Sequence, residues 1–319
     1  MELLRRALVG LADPNTVAAN ASVGGVIGPL HDGGHPDDPA LPATDPLLTL
    51  LNRCCCGVGI AEWDHALTLD YTGWLSEQLN YQSIDDSAVD AAVASIWPRV
   101  TMSAAELLSD ARLNNNPQKA AADLRTAVLY RRLFSRRQMF ETMVGFWGDH
   151  FNIATLASPE SYYKNVDDRG VIRANALGFF RDMLHASARS LAMLYYLDNV
   201  SNVASGPNEN YARELMELHT LGVEGGYTEQ DVAEVARCFT GWSVTGTSAG
   251  LPVFTFLASR HDGGAKTVLG SNIAAGGGIS DGDAVLDILA AHPSTARHVA
   301  RKLCIAFIGD TPQQTAVDA

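Results

Sequence analysis

The chain contains 319 residues, of which 47% are hydrophobic and 18% are charged. This composition is typical of a globular protein with one large or two smaller domains, which buries enough core to fold without a disulfide framework or a metal. The formal net charge is −13 at pH 7. An acidic surface repels phosphate backbones and anionic lipid headgroups, which argues against binding to nucleic acid or to a membrane surface.

Targeting and membrane signals are weak in this sequence. No segment reaches the ~18 uninterrupted apolar residues of a membrane-spanning helix. The apolar run near the start is too short for the middle region of a signal peptide. The sequence as written therefore predicts a cytoplasmic protein without a transmembrane segment.

The first predicted domain covers residues 1–116. Residues 21–46 are rich in glycine, proline and aspartate, a composition typical of an irregular loop. Helices are predicted at residues 73–79, 85–97 and 104–113, and prolines and asparagines end the last two of them.

The second predicted domain covers residues 117–319 and is almost entirely helical. Hydrophobic periodicity predicts helices at about 117–130, 139–150, 168–197, 208–222, 228–239, 281–291 and 294–308. Asp168 would cap the third of these, which has a candidate break near His185, and Thr228 with Asp231 resembles a capping box. Residues 253–256 and 267–269 resemble strands joined by turn residues, which indicates a small hairpin. The predicted fold class is mainly α, a multi-helix bundle with a small β-hairpin near residues 253–270.

The helix predicted at 208–222 carries the densest set of polar side chains. One polar stripe contains Asn210, Glu214 and Glu217, and a separate apolar stripe contains Tyr211, Leu215 and Leu218. His219 would lie about 140° around an α-helix from Glu214. The two side chains can share a site only if the helix breaks near Leu218 or another element bridges them. The spacing is neither Glu-x-x-His nor His-Glu-x-x-His.

A purely structural interpretation of this helix stays open. Glutamates in the first turns suit the helix dipole, and Arg213 with Glu217 has the i,i+4 spacing of an ion pair.

Three further clusters each have a structural and a functional interpretation. His150 closes the apolar face of its helix, so it is either a core histidine bonded to a backbone carbonyl or a metal ligand or general base. Asp198 lies in an Asp-Asn pair that either turns the chain or belongs to a site. His261 and Lys266 flank two glycines, which suit either an exposed hairpin turn or close approach to a ligand.

Together these motifs resemble a bacterial family known as domain of unknown function 1800 (DUF1800). The matching motifs are Phe146-Trp147 with His150-Phe151, Ile172-Arg173 with Gly178-Phe179-Phe180, Tyr196-Leu197-Asp198-Asn199, the block from Asn208 to Val223, Gly226-Tyr227-Thr228, Thr240-Gly241-Trp242, and His261-Asp262 with Lys266 and Leu269-Gly270. They cover about residues 136–310.

The resemblance implies an exported or periplasmic protein, since many members are exported, and a sulfatase-like partner protein, often encoded beside members. Members are usually longer, so the chain resembles a truncated member that lacks an export signal and C-terminal helices. The family has no established reaction, so the resemblance leaves the activity open.

Two functions remain in competition at this stage. The first is a hydrolase that acts on a small-molecule or polymer substrate through a buried polar site, either with a divalent metal that activates water or by metal-free acid–base chemistry. The second is a non-catalytic module in which the same residues hold helices together while the surface binds a partner.

The hydrolase hypothesis assigns roles to particular residues. The candidate catalytic residues are Glu214, His219 and His150. The candidate substrate or network residues are Asn210, Arg213, Trp242, Lys266 and Asp198. The candidate metal ligands are His150, Glu214, Glu217 and His261.

Overall fold

The computed structural model describes residues 45–155 and 159–318. The loop predicted at residues 21–46 lies outside the described residues except for its last two positions. Within the described ranges the fold is mainly helical with small antiparallel hairpins, as predicted. None of the helices in these ranges combines the length and apolar character needed to cross a bilayer.

The helices follow one another with short connections. The α-helices are α1 (Pro46–Cys54), α2 (Ile60–Leu79), α3 (Ser87–Ile96), α4 (Ala104–Asn114), α5 (Gln118–Phe134), α6 (Gln138–His150), α7 (Glu160–Asp167), α8 (Phe180–Ala188), α9 (Leu191–Tyr196), α10 (Asn210–Glu214), α11 (Glu229–Cys238), α12 (Ser280–Ala291), α13 (Pro293–Phe307) and α14 (Gln314–Asp318). Segments of π-helix continue α7 over Asp168–Arg173 and α10 over Leu215–Thr220. Short 3-10 turns lie at Tyr81–Ser83, Pro98–Val100, Asn199–Ser201 and Ala258–Arg260.

The strands form two hairpins, whereas the sequence predicted one. Strand β1 (Trp242–Thr245) pairs with β2 (Val253–Phe256), and β3 (Lys266–Val268) pairs with β4 (Ser271–Ile273). The predicted pairing of 253–256 with 267–269 is therefore wrong. Leu269 and Gly270 both adopt positive φ, at 49° and 75°, which is the conformation of a tight two-residue hairpin turn. This turn folds β3 back onto β4 and leaves β2 to pair with β1.

Helix starts were predicted with mixed success. The capping box is confirmed, because Thr228 Oγ1 lies 2.6 Å from Asp231 Oδ2 and accepts the Asp231 N–H at 3.1 Å. Asp168 is not a helix cap, since α7 begins at Glu160 and runs into the π-helix Asp168–Arg173. The helical stretch predicted over 168–197, with a candidate break near His185, is interrupted before α8 and again at Arg189, a few residues beyond that position.

The chain divides into two compact units. The second unit contains described residues 85–155 and 159–299, and within it α7 packs against α4, α5 and α9. Its largest fully buried side chains include Trp242, Tyr163, Tyr211, Phe151 and Phe239.

The first unit contains described residues 45–84 and 300–318. Here α1 packs on α2, where the buried Trp74 donates its indole N–H to Glu62 Oε1 at 2.6 Å. Cys304 and Val317 belong to a second small apolar cluster. The domain division predicted at residue 116 stays a prediction.

Candidate functional site

The helix predicted at residues 208–222 becomes a π-helix over its second half, Leu215–Thr220. The Leu221 N–H donates to the Met216 carbonyl at 2.8 Å, five residues back. Thr220 Oγ1 donates to the Leu215 carbonyl at 2.7 Å, again five residues back. Such π-turns insert one residue into an α-helix and are frequent at functional sites.

The inserted residue changes which side chains face the interior. Tyr211 and Leu215 of the predicted apolar stripe are buried, but Leu218 is 48% exposed. His219 takes the inner position and is only 4% exposed. The helix thus widens rather than breaks near Leu218, and the 140° separation expected of a regular α-helix does not apply here.

Glu214 and Glu217, which we call the carboxylate pair, are both half-buried. Burial, and then the charge of Glu217, raise the pKa of Glu214 above its ordinary value of 4.5, while Arg213 acts in the opposite direction. Because the folded protein prefers protonated Glu214, this group stabilises the fold at acid pH. That contribution is lost as the pH rises through the folded pKa.

Tyr227 and Arg213 interact electrostatically with the carboxylate pair. Burial is the main cause that raises the pKa of Tyr227, and the charge of Glu217 is the next. Arg213 lies beside the pair but directs its guanidinium to Glu229 at 2.7 Å and to Glu209 at 3.1 Å. The ion pair that the i,i+4 spacing of Arg213 and Glu217 suggested is therefore replaced by these two ion pairs.

Histidines bind the carbonyls at the carboxyl end of the π-helix. His150 Nε2 lies 3.0 Å from the carbonyl oxygen of His219, as the structural interpretation of His150 expected. His298 Nε2 lies 3.3 Å from the carbonyl oxygen of Leu218. The last carbonyls of a helix have no partner within it, and histidines near that end satisfy them. Sequence reasoning missed His298, because nothing around it marks it as different from any other helical histidine.

A second polar cluster, the Lys266 cluster, consists of Lys266, Asp281 and His261. The Lys266 and Asp281 side chains are 0% and 1% exposed, and their charged atoms lie 2.5 Å apart. His261 Nε2 is 3.1 Å from Asp281 Oδ2, and its Nδ1 is 2.8 Å from the Thr240 carbonyl oxygen. Gly263 and Gly264 are exposed, as a turn predicts, but the side chains of His261 and Lys266 on either side of them are buried.

Trp242 lies against the same helix as Asp281. Its indole ring approaches Gly282 so closely that a Cβ there would lie 2.6 Å from a ring carbon. The guanidinium of Arg189 lies 4.7 Å from the centre of the ring. Sequence reasoning found Trp242 and Lys266 but missed Asp281, because an aspartate in the first turn of a helix is already explained by the dipole.

Two candidate residues lie at the surface. Asp198 is exposed with a φ of 60°, and its carbonyl accepts the Ser201 hydroxyl at 2.8 Å, which is the geometry of a chain turn. Asn210 is exposed at the start of α10, where its N–H donates to Asn208 Oδ1 at 2.9 Å. Within the part of the chain that the structure describes, neither residue bonds to the carboxylate pair or to the Lys266 cluster.

The predicted metal ligands do not fit a common metal site. Across residues 45–155 and 159–318, no group of three or more histidine, cysteine, aspartate or glutamate side chains is arranged to hold a metal ion. His261 binds Asp281, His150 binds the His219 carbonyl, and Glu214 lies beside Glu217. The chemistry that these residues support on their own is proton transfer at the carboxylate pair.

Comparison with known proteins gives one result. A family model described as "Protein of unknown function (DUF1800)" matches residues 49–319. No curated protein and no solved structure matches the chain.

Proposed function

Because the chain belongs to the DUF1800 family, whose description names no activity, we propose its function from the site itself: an acid–base hydrolase centred on Glu214. One observation carries this proposal. Glu214 is a half-buried carboxyl whose pKa is raised by burial and by the adjacent charge of Glu217. Burial and a neighbouring carboxylate are the means by which proteins raise the pKa of a carboxyl that serves as a general acid.

The proposed chemistry uses the proton on Glu214. Glu214 protonates the leaving oxygen or nitrogen of an ester, amide or glycosidic bond, and the resulting carboxylate then takes a proton from the attacking water. The negative charge of Glu217 contributes to the raised pKa of Glu214 and so favours its reprotonation between turnovers. Tyr227, whose pKa is raised mainly by burial, is a candidate to donate a hydrogen bond to a developing negative oxygen.

The histidines have positioning roles in this proposal. The contacts of His150 and His298 with the carbonyls of His219 and Leu218 support the carboxyl end of the π-helix. These contacts thereby fix the position of the π-helix that carries Glu217. His219 stays a candidate catalytic residue, because it is buried on the same π-helix.

Glu214→Gln is the variant that tests this proposal. We expect kcat to fall by about 100- to 10,000-fold, the range for losing a general acid–base group, with a melting temperature within a few degrees of wild type. The assay measures hydrolysis of p-nitrophenyl esters, p-nitrophenyl glycosides and peptide p-nitroanilides. The control is Glu224→Gln, an exposed glutamate a few residues away. No turnover by the wild type, or equal turnover by Glu214→Gln, would contradict the proposal.

One observation favours the second candidate function, a non-catalytic module. The Lys266 cluster is sealed from solvent, which suits a role in holding helices rather than in chemistry. In this function the surface of the protein binds a partner protein. The candidate partner is the sulfatase-like protein, and the candidate location is the periplasm, both implied by the family resemblance. If the wild type hydrolyses none of these substrates and the Glu214→Gln variant still binds the partner protein, the non-catalytic module is favoured.

A further inference from the structure

Apolar side chains occupy the C-terminal part of the exposed face of α5. Leu129, Leu133 and Phe134 are each more than half exposed. Leu129 and Leu133 are one helical turn apart, so they are neighbours on the helix surface. The Phe134 ring lies 4.6 Å from the Tyr130 ring between centroids, and the Tyr130 ring lies 5.5 Å from that of Trp97. We call these five side chains the α5 face.

The α5 face is anchored in the core of the second unit. Trp97 and Tyr130 are half-buried and pack against an apolar cluster that contains Val93 and Leu124. Single exposed leucines are ordinary on protein surfaces, but a contiguous apolar patch is typical of a site that binds another molecule. The carboxylate pair and the Lys266 cluster lie on other elements, so this surface goes beyond the proposed hydrolysis.

Arginines accompany this face in a chain that is acidic as a whole. Residues 125–137 contain five arginines and no aspartate or glutamate, whereas the chain has a formal net charge of −13. Arg125 and Arg132 lie four residues before and three residues after Leu129, which makes both of them its neighbours on the helix. Among the described residues neither forms an ion pair. The exposed Arg125 donates to the Thr155 hydroxyl at 3.4 Å, and the half-buried Arg132 has an Nε without a hydrogen-bond partner.

The other arginines of this segment have acidic neighbours within the described residues. Arg131 forms an ion pair with Asp90. Arg136 and Arg137 interact electrostatically with Asp85. The positive charges without a carboxylate partner are therefore the two that lie beside the apolar side chains of the α5 face.

We propose that the α5 face binds an acidic amphipathic helix of a partner protein. Leucine or phenylalanine side chains of that helix pack on Leu129, Leu133 and Phe134, while a glutamate or aspartate pairs with Arg125. Arg132 adds positive potential at the same face. A helix suits this surface because side chains four residues apart form a ridge that packs into the groove of another helix. Amphipathic helices bind apolar surfaces in this manner in many complexes.

Two other occupants fit the α5 face less well. A symmetric dimer of this chain places the same patch of both copies together, which brings arginine against arginine. A bilayer with anionic lipids offers apolar and negative groups, but its extended surface meets the net charge of the whole chain, −13, and is repelled by it. A single helix contacts the α5 face alone.

The test is a fluorescence anisotropy titration of a labelled peptide with the full chain. The probe is an amphipathic peptide of four Glu-Leu-Leu-Glu repeats, and the control peptide has lysine in place of every glutamate. We expect the acidic peptide to bind with a dissociation constant in the micromolar range and the basic peptide to bind at least about tenfold more weakly. Added salt should weaken binding of the acidic peptide, because it screens the charge of Arg125.

Substitutions on the α5 face should weaken this binding selectively. Leu133→Ser removes an apolar contact and Arg125→Glu reverses a charge, and we expect each to weaken binding of the acidic peptide about tenfold. The matched control is Leu113→Ser, which replaces an exposed leucine of α4 outside the α5 face and should leave binding unchanged. Circular dichroism melting of each variant separates loss of binding from loss of folding.

Four results would overturn the proposal. The first is no binding of the acidic peptide to the folded wild type, and the second is equal binding of the two peptides. The third is peptide binding that Leu133→Ser and Arg125→Glu leave unaltered. The fourth is binding to phosphatidylglycerol vesicles, or dimerisation seen by light scattering, that these substitutions abolish while the acidic peptide does not bind. Because none of these assays measures hydrolysis, their failure is distinguishable from failure of the acid–base proposal.

Discussion

Replacing Lys266 with methionine is expected to lower the free energy of unfolding by about 3–5 kcal/mol, the cost of leaving one partner of a buried ion pair uncompensated. Asp281 is 1% exposed, and among the described residues its carboxylate would keep His261 as its one hydrogen-bond partner. Methionine fills a similar volume, so most of the loss comes from charge rather than from a cavity. Urea unfolding followed by circular dichroism measures the difference.

Two controls make the Lys266 result specific. Lys119→Met removes an exposed lysine and should change the stability by less than about 0.5 kcal/mol. Adding Asp281→Leu to Lys266→Met should restore part of the loss, because replacing both charges of a buried pair is far less costly than replacing one. A Lys266→Met protein as stable as wild type would contradict a stabilising ion pair between Lys266 and Asp281.

The second large effect is expected for Arg173→Met. Arg173 binds both carboxylate oxygens of Glu141, at 2.9 and 2.5 Å, and the Glu141 side chain is 1% exposed. Burial raises the pKa of the neighbouring Asp168, and Arg173 is the largest of the charges that oppose this rise. Removal of the guanidinium leaves the buried carboxyls of Glu141 and Asp168 without its positive charge. We therefore expect the free energy of unfolding to fall by about 3–5 kcal/mol.

The same substitution at an exposed ion pair is the matched control for Arg173. Arg181 binds Asp287 at 2.7 Å, but its side chain is 56% exposed. Arg181→Met should therefore lower the free energy of unfolding by no more than about 1 kcal/mol. Both variants are compared by urea unfolding at pH 7. Equal and small losses at the two positions would contradict an ionised, buried Arg173–Glu141 pair.

Features specified by neighbouring residues were predictable from the sequence. The capping box at Thr228 and Asp231 depends on residues three apart and forms as expected. The mainly helical class follows from repeated apolar periodicity. The pairing of β3 with β4 was missed although it also depends on neighbouring residues. It requires a positive φ at Leu269, and this conformation is uncommon outside glycine and asparagine. Nothing in a leucine signals that turn.

Features that depend on distant residues were not predictable. The π-turn at Leu215–Thr220 accompanies the contacts of His150 and His298 with carbonyls at its end, and these residues are far apart in the sequence. A one-residue shift of the helix face then exposes Leu218 and buries His219. Lysine is rarely buried, so Lys266 resembles a surface residue until Asp281 is seen beside it.

The central claim is that burial and the charge of Glu217 raise the pKa of Glu214 above that of an ordinary surface glutamate, and a pH titration of its side-chain carboxyl by carbon-13 NMR tests this most directly. We expect a midpoint above the ordinary 4.5, because burial and the charge of Glu217 both disfavour ionisation. In Glu217→Gln the midpoint should fall towards 4.5 but stay above it, since burial remains. A midpoint at or below 4.5 in the wild type would contradict the account.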